Sequence, residues 1–234
     1  MKIVAFIGSK NRKSSTSLVI EELVAEIRKK TLVEFIRYDS LENEIKECIG
    51  CCRCFNMGQC PLSDDIAKIK DDLGKCSLII LGSPVYLWQV TGSMKIFIDR
   101  ISSWSHLYKL TGKFGVAVNT SASNGNAPVS DYLKLVLESL GTSVLSNISF
   151  NIIDILNAEN RNSIISYEAE RIVKLIKNED YRISQFQEQT FSATKKELRC
   201  RLDTDFEKIY WKNNGYFEIE NYRSLFNREL KINL

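Results

Sequence analysis

With 234 residues, 44% hydrophobic and 26% charged, the chain has the make-up of one ordinary globular domain, long enough to bury roughly 70% of its surface. A net charge of +3 with scattered basic residues argues against nucleic acid or an anionic membrane as partner. No apolar run approaches the ~20 residues of a membrane span.

The first predicted element is the run IVAFI at 3–7, continuous in the way of a strand buried on both faces. It is too short for a signal-peptide core and no small-residue cleavage site follows. The reading therefore places the chain in the cytoplasm, where thiols stay reduced. GSKNRKSST at 8–16 leads into a helix marked by Ile20, Leu23, Val24 and Ile27, the spacing of a single apolar face. Gly8 is the only glycine of that loop, so neither a dinucleotide fingerprint nor a Walker loop is present. Ser9, Asn11, Ser14, Ser15 and Thr16 instead offer short polar groups at a helix N-terminus, which suits a single terminal phosphate. Arg12 or Lys13 would add charge; a solvated loop with Ser14 as a simple N-cap is the other reading.

TLVEFIRY at 31–38 mixes charge with apolar residues and predicts an edge strand. Then CIGCCRCFNMGQC at 48–60 gathers five of the seven cysteines. Cys48, Cys51, Cys54 and Cys60 have the spacing C-x2-C-x2-C-x5-C, with Gly50 and Gly58 easing the turns. Four thiolates on one compact loop are what a [4Fe–4S] cluster requires. Free or redox-active thiols and a zinc site remain open, and Cys52 makes the second ligand ambiguous with Cys51. A weaker helix follows at Ile66, Ile69 and Leu73, with Ser63 the expected N-cap.

LIIL at 78–81 and FGVAV at 114–118 predict two further buried strands, and TSVLSNISF at 142–150 a last one. Helices fall at Met94, Phe97, Ile98 and Ile101, at Leu133, Val136, Leu137 and Leu140, and at Ala169, Ile172, Val173 and Ile176. Strands alternating with helices give a parallel sheet covered on both sides. Ligands of such sheets sit beyond the strand carboxyl ends. Tyr86, Leu87 and Trp88 lie there, as a wall for a flat ring or as caps of the core. The small loop NTSASNG at 119–125 would bring backbone amides to a polar ring edge.

These loops resemble a known family. GSxxxxSST and GSPVYxxxVTGSMKxFIDR are similar to motifs of the flavodoxin-like NAD(P)H-dependent FMN reductases, over about residues 1–150, and the cysteine spacing resembles that of the iron–sulfur flavoproteins. The resemblance implies an α/β, flavodoxin-like three-layer α/β/α sandwich with a five-stranded parallel sheet in order 2-1-3-4-5. FMN would sit at the carboxyl edge. Ser9, Asn11, Ser14, Ser15 and Thr16 would hold its phosphate. Pro84, Val85, Tyr86, Leu87, Trp88 and Gln89 would line the ring, and Thr120, Ser121, Ala122 and Gly125 its pyrimidine side. Lys10 replaces a usual proline, and Trp88 is bulkier than the common residue. The implied function is electron transfer from NADH or NADPH through FMN to an unknown acceptor, with or without passage through the cluster, in a homodimer or homotetramer. A non-enzymatic electron carrier is the competing expectation. No residue is expected to act as a catalytic base, and His106, the sole histidine, is expected to be structural or flavin-adjacent.

The helical pattern fades after about residue 180, so residues 1–180 are expected to form the FMN-binding unit and 181–234 an extension. Ten aromatics in those last 54 residues exclude a solvated tail. The extension either wraps the body or clasps a second subunit.

Overall fold

Alternate residues of a strand face opposite ways, and the first strand, β1 (Lys2–Ile7), serves two cores by that rule. Ile3, Ala5 and Ile7 point into one apolar cluster, Val4 and Phe6 into another. The computed structural model describes residues 1–233. Its sheet contains β1, β2 (Glu34–Asp39), β3 (Leu78–Pro84), β4 (Phe114–Thr120) and β5 (Ser143–Phe150), all parallel, in the order β2-β1-β3-β4-β5. Flavodoxin-like topology is thus present as expected. The largely buried β3 and the buried β4 carry no charged residue, and TLVEFIRY does supply the edge strand β2.

On the first face lie α1 (Ser15–Arg28) and α8 (Ala158–Lys177). The second face is covered by α3 (Ile66–Lys75), α4 (Gly92–Ile101) and α6 (Asn126–Leu140). Short helices fill the connections: α2 (Arg53–Met57) in the cysteine stretch, α5 (Trp104–Leu107) and α7 (Ile152–Leu156). One expected cap is corrected. Helix α3 begins at Ile66, so Ser63 lies too far upstream, and Asp64 Oδ1 accepts the Ile66 amide at 3.2 Å instead.

Residues beyond 180 form three further helices: α9 (Gln185–Cys200), α10 (Phe206–Asn213) and α11 (Tyr222–Asn233). Phe191, Trp211, Tyr222 and Phe226 are buried in the same cluster as Ile3 and Ile80. Tyr222 Oη donates to the Gly141 carbonyl at 2.6 Å, and Trp211 Nε1 to the His106 carbonyl at 2.8 Å. These aromatics thus pack on the body of the same chain. Among the described residues no helix is long and apolar enough to cross a membrane.

Candidate functional site

Loops after β1, β3 and β4 meet at the carboxyl edge of the sheet. After β1, Ser9 is buried and its Oγ accepts the Asn11 amide at 3.2 Å; Asn11 Oδ1 accepts the Lys13 amide at 3.0 Å. Ser14 is the N-cap of α1, accepting the Ser17 amide at 3.2 Å. The Ser15 and Thr16 amides belong to the first turn, whose N–H groups have no intrahelical acceptor, so a donor cradle with the positive helix end stands here. The Thr16 hydroxyl is committed elsewhere: it hydrogen-bonds Thr120 at 2.7 Å, both buried. That bond ties the first loop to the end of β4. Arg12 pairs with Glu42 across the surface.

After β3 the chain makes an unusual turn. Tyr86 and Gln89 exchange both backbone hydrogen bonds, at 2.9 and 3.0 Å, leaving a two-residue loop of Leu87 and Trp88. Both central residues have positive φ, 46° and 64°, where such tight turns normally carry Asn-Gly. Large side chains there are strained, and strain of this kind collects at functional sites. The strain presents apolar surface outward: Tyr86, Leu87 and Trp88 are 63%, 92% and 54% exposed. Capping of the core, the other reading of these aromatics, is therefore excluded. Pro84 and Val85 are half-buried beneath them and Gln89 is exposed beside them; the Val85 amide donates to the Thr120 carbonyl at 2.8 Å.

After β4, Gly125 has φ +83°, and a Cβ there would lie 2.7 Å from Val85 Cγ1, so only glycine lets the third loop approach the second. The Ser121 amide is held by the Phe150 carbonyl at 2.9 Å, while Ala122 is exposed. Ser121 Oγ, Asn119 Oδ1 and Asn126 Oδ1 are buried with no hydrogen-bond partner among the described residues. Buried polar atoms without partners are costly, and these three stand together around the end of β4. A phosphate cradle, an apolar wall and unsatisfied polar atoms thus converge, which fits a mononucleotide with a flat, polar-edged ring.

The cysteine stretch runs down the outer side of α4. Cys48 is within electrostatic reach of Lys95, whereas Cys60 accepts from Arg100 Nη2 at 3.5 Å. These two helix positions stand about 7.5 Å apart by the rise of an α-helix. Arg100 and Asp64 form an ion pair whose side chains are 1% and 0% exposed. Burial opposes the charge on Asp64, but Arg100 and the Lys46 and Ile66 amides together hold its carboxyl below the ordinary range. Arg100 Nη1 also donates to the Lys46 carbonyl at 2.7 Å. Both ends of the cysteine stretch are therefore fastened to one buried guanidinium. Cys48, Cys51 and Cys52 are exposed, Cys54 and Cys60 half-buried. Cys52 adopts φ 55° and directs its thiol to the Gly50 carbonyl at 3.6 Å.

Among the described residues, no three His, Cys, Asp or Glu side chains converge to metal-binding distance. The donor set itself suits a thiolate-bound metal: four thiols on one loop, with Arg100 at Cys60 and Lys70 acting electrostatically on Cys54 and Cys60. Cys76 is buried and burial drives its thiol up to about 12, which disfavours the thiolate form that ligands and nucleophiles use. His106 contacts Phe55 of the cysteine stretch edge-on and Glu207 through Nδ1 at 2.9 Å.

Arg100, Asp64, Asn119 and Asn126 escaped the sequence reading. Arg100 enters the sequence only as the last letter of a motif. A buried Arg–Asp pair 36 residues apart leaves no periodic trace. The orphaned atoms of Asn119 and Asn126 are a property of the assembled rim alone.

Residues 1–155 match the sequence profile of the family described as NADPH-dependent FMN reductase. Two iron-sulfur flavoproteins of Archaeoglobus fulgidus are 32% and 34% identical, the first over 60% of this chain and 64% of its own length, the second over 62% and 71%. An iron-sulfur flavoprotein of Methanocaldococcus jannaschii is 34% identical over 53% of this chain and 63% of its own. The chain thus spans a little under two thirds of the first of these relatives. Among solved structures, the apo form of the NADH:FMN oxidoreductase EmoB shares the fold at a TM-score of 0.57 and 20% identity, covering 74% of this chain and 89% of that one. A flavone reductase does so at 0.63 and 16%, covering 79% and 66%. With five parallel strands in the order 2-1-3-4-5 and a profile match over its first two thirds, the chain belongs to the NADPH-dependent FMN reductase family.

Proposed function

We propose that this chain is an FMN-dependent oxidoreductase, which takes electrons from NADH or NADPH and passes them to an acceptor by way of a [4Fe–4S] cluster on Cys48, Cys51, Cys54 and Cys60. The observations that carry the flavin part are the strained, exposed Leu87–Trp88 turn and the unsatisfied Ser121 and Asn119 atoms at the end of β4. Ser9, Asn11, Ser14, Ser15 and Thr16 would hold the phosphate, through backbone amides in the case of Thr16. Pro84, Val85, Tyr86, Leu87, Trp88 and Gln89 would flank the ring, with Thr120, Ser121, Ala122 and Gly125 on its pyrimidine side. FMN supplies the acceptance of a hydride and its release as electrons; the protein supplies orientation. The Thr16–Thr120 bond keeps cradle and rim at a fixed separation, so phosphate and ring are positioned together.

The four thiols are splayed, so metal uptake would draw the stretch together while Arg100 and Asp64 keep its ends in place; such coupling of metal binding to folding is general. The same carboxyl edge also exposes Leu87, Ile153 and Leu156 at 92%, 74% and 77%, apolar surface of the kind that a second copy covers. A homodimer or homotetramer would use it.

Protein purified without oxygen should show flavin absorption together with the broad charge-transfer absorption of an iron–sulfur centre, and NADH or NADPH should bleach the flavin bands. A bound flavin that neither nicotinamide bleaches would make the chain an electron carrier instead. Analysis that finds neither iron nor acid-labile sulfide would remove the cluster.

A further inference from the structure

Helix α3 borders the cysteine stretch, and the carboxylates on and before it are committed to other partners. Asp71 pairs with Lys75 at 2.6 Å and Asp72 with Lys2 at 2.7 Å. Asp64 is taken by Arg100, and Asp65 accepts the Glu44 amide at 2.8 Å.

Lys70 of the same helix is turned to the thiols. It lines one hollow with Cys60, and its ammonium stands 5.5 Å from the centre of the Trp104 ring, a cation–π contact that restrains it. Burial works against its charge, and the Cys54 and Cys60 thiolates, ahead of Asp64, work for it. Arg100 and Asp64 act on Lys70 in opposite senses, as the two halves of an ion pair do. The far end of the stretch differs. Lys95, within electrostatic reach of Cys48, is exposed and paired with Asp99, so solvent and its partner both weaken its field. The stretch is therefore lopsided in charge. Its Cys54–Cys60 half meets a half-buried ammonium and, at Cys60, the Arg100 Nη2 donor at 3.5 Å.

We infer that Lys70 is a positioning residue for electrons, setting the reduction potential of the cysteine-bound centre by a fixed positive charge on its Cys54 and Cys60 side, while Arg100 holds the Cys60 sulfur. The inference rests on the cluster proposed above. In the step concerned, one electron leaves reduced FMN, whose charge rises by one, and reaches the iron on the loop, whose site gains one negative charge. No bond forms or breaks. A cation close to thiolate sulfurs favours the more negative, reduced state, and does so most where water is excluded.

The test is a reductive titration of the full chain, purified without oxygen, followed by electron paramagnetic resonance, with iron and sulfide measured on each sample. Lys70→Gln should shift the reduction equilibrium about tenfold toward the oxidised form, a fall in potential of about 59 mV for one electron. Lys70→Arg keeps the charge and should stay within about twofold of the parent equilibrium. Lys75→Gln removes an exposed, already paired charge of the same helix and should also stay within about twofold. The parent potential in loaded Lys70→Gln would overturn the inference, as would an equal fall in Lys70→Arg or in Lys75→Gln. A Lys70→Gln chain that takes up no iron while the parent does would make the residue a condition of assembly and overturn its assignment to the potential. A parent chain lacking both iron and sulfide overturns the cluster and the inference with it, whereas loaded chains that share one potential overturn the inference alone.

Discussion

Leu87 and Trp88 hold a backbone conformation that stability alone does not favour. Both sit at positive φ, a region that disfavours side chains with a Cβ and accommodates glycine freely. A fold selected for stability alone would place Asn-Gly there. Exchanging Leu87→Asn together with Trp88→Gly should therefore stabilise the protein by roughly 1–2 kcal/mol through relief of strain. The same exchange removes two of the three exposed apolar side chains at the rim, so affinity for FMN should fall at least tenfold. Thermal unfolding and a flavin fluorescence titration read the two effects. Unchanged FMN affinity would show that the turn is not part of the flavin wall. At this scale the sequence was only partly legible. The polar loop at 8–16 and the aromatics at 86–88 stand out by residue type. The Thr16–Thr120 bond does not, since it joins two ordinary threonines 104 positions apart.

At the scale of elements, apolar periodicity foretold the strands and the four strong helices, because each buries one face against the sheet and packing enforces the pattern. It failed for α9 and α10, whose sequences are polar around most of their circumference and bury only a few residues each. Helix α10 also makes a shelf for the cysteine stretch. Gly58 has φ +72°, and a Cβ there would approach the Phe206 ring to 2.3 Å, so the stretch lies flat against the helix. Beside it, His106 Nδ1 meets Glu207, whose side chain is 2% exposed, and Arg201 Nη1 reaches the same carboxylate at 2.7 Å. The Glu207 hydrogen bond raises the His106 pKa above its usual value, against burial and the nearby Arg201 charge, with Glu197 adding a smaller pull upward. A raised folded-state pKa means stabilisation that is complete below the unfolded value of about 6.5 and disappears as pH climbs through the folded one. The difference in thermal midpoint between the parent chain and His106→Gln should therefore be largest in mild acid and shrink as pH rises. A difference that does not vary with pH would mean that the pair is neutral throughout.

For the whole molecule, the question is whether the last 54 residues are an appendage or part of one folding unit. Their aromatic content announced burial, but composition alone could not say against what. The structure answers through shared contacts: Trp211 stacks on Phe191 at 5.1 Å and meets Tyr108 edge-on at 5.9 Å, while Tyr108 in turn lies 5.2 Å from Tyr222. Tyr108 precedes β4, so one aromatic cluster joins the sheet to α9, α10 and α11. The family match ends at residue 155, yet the apolar core continues past it without a boundary. A core that is continuous should melt as one. Trp211→Ala removes a fully buried ring and its hydrogen bond to the His106 carbonyl, and should cost roughly 3–5 kcal/mol. Because the loss is transmitted through a common core, denaturant unfolding should remain a single transition, with circular dichroism of the whole chain and tryptophan emission shifting together. A variant whose sheet keeps its original midpoint while the helices beyond 180 melt early would show that the extension is a separate cooperative unit resting on the body, and that the hold of α10 on the cysteine stretch can be released without unfolding the flavin domain.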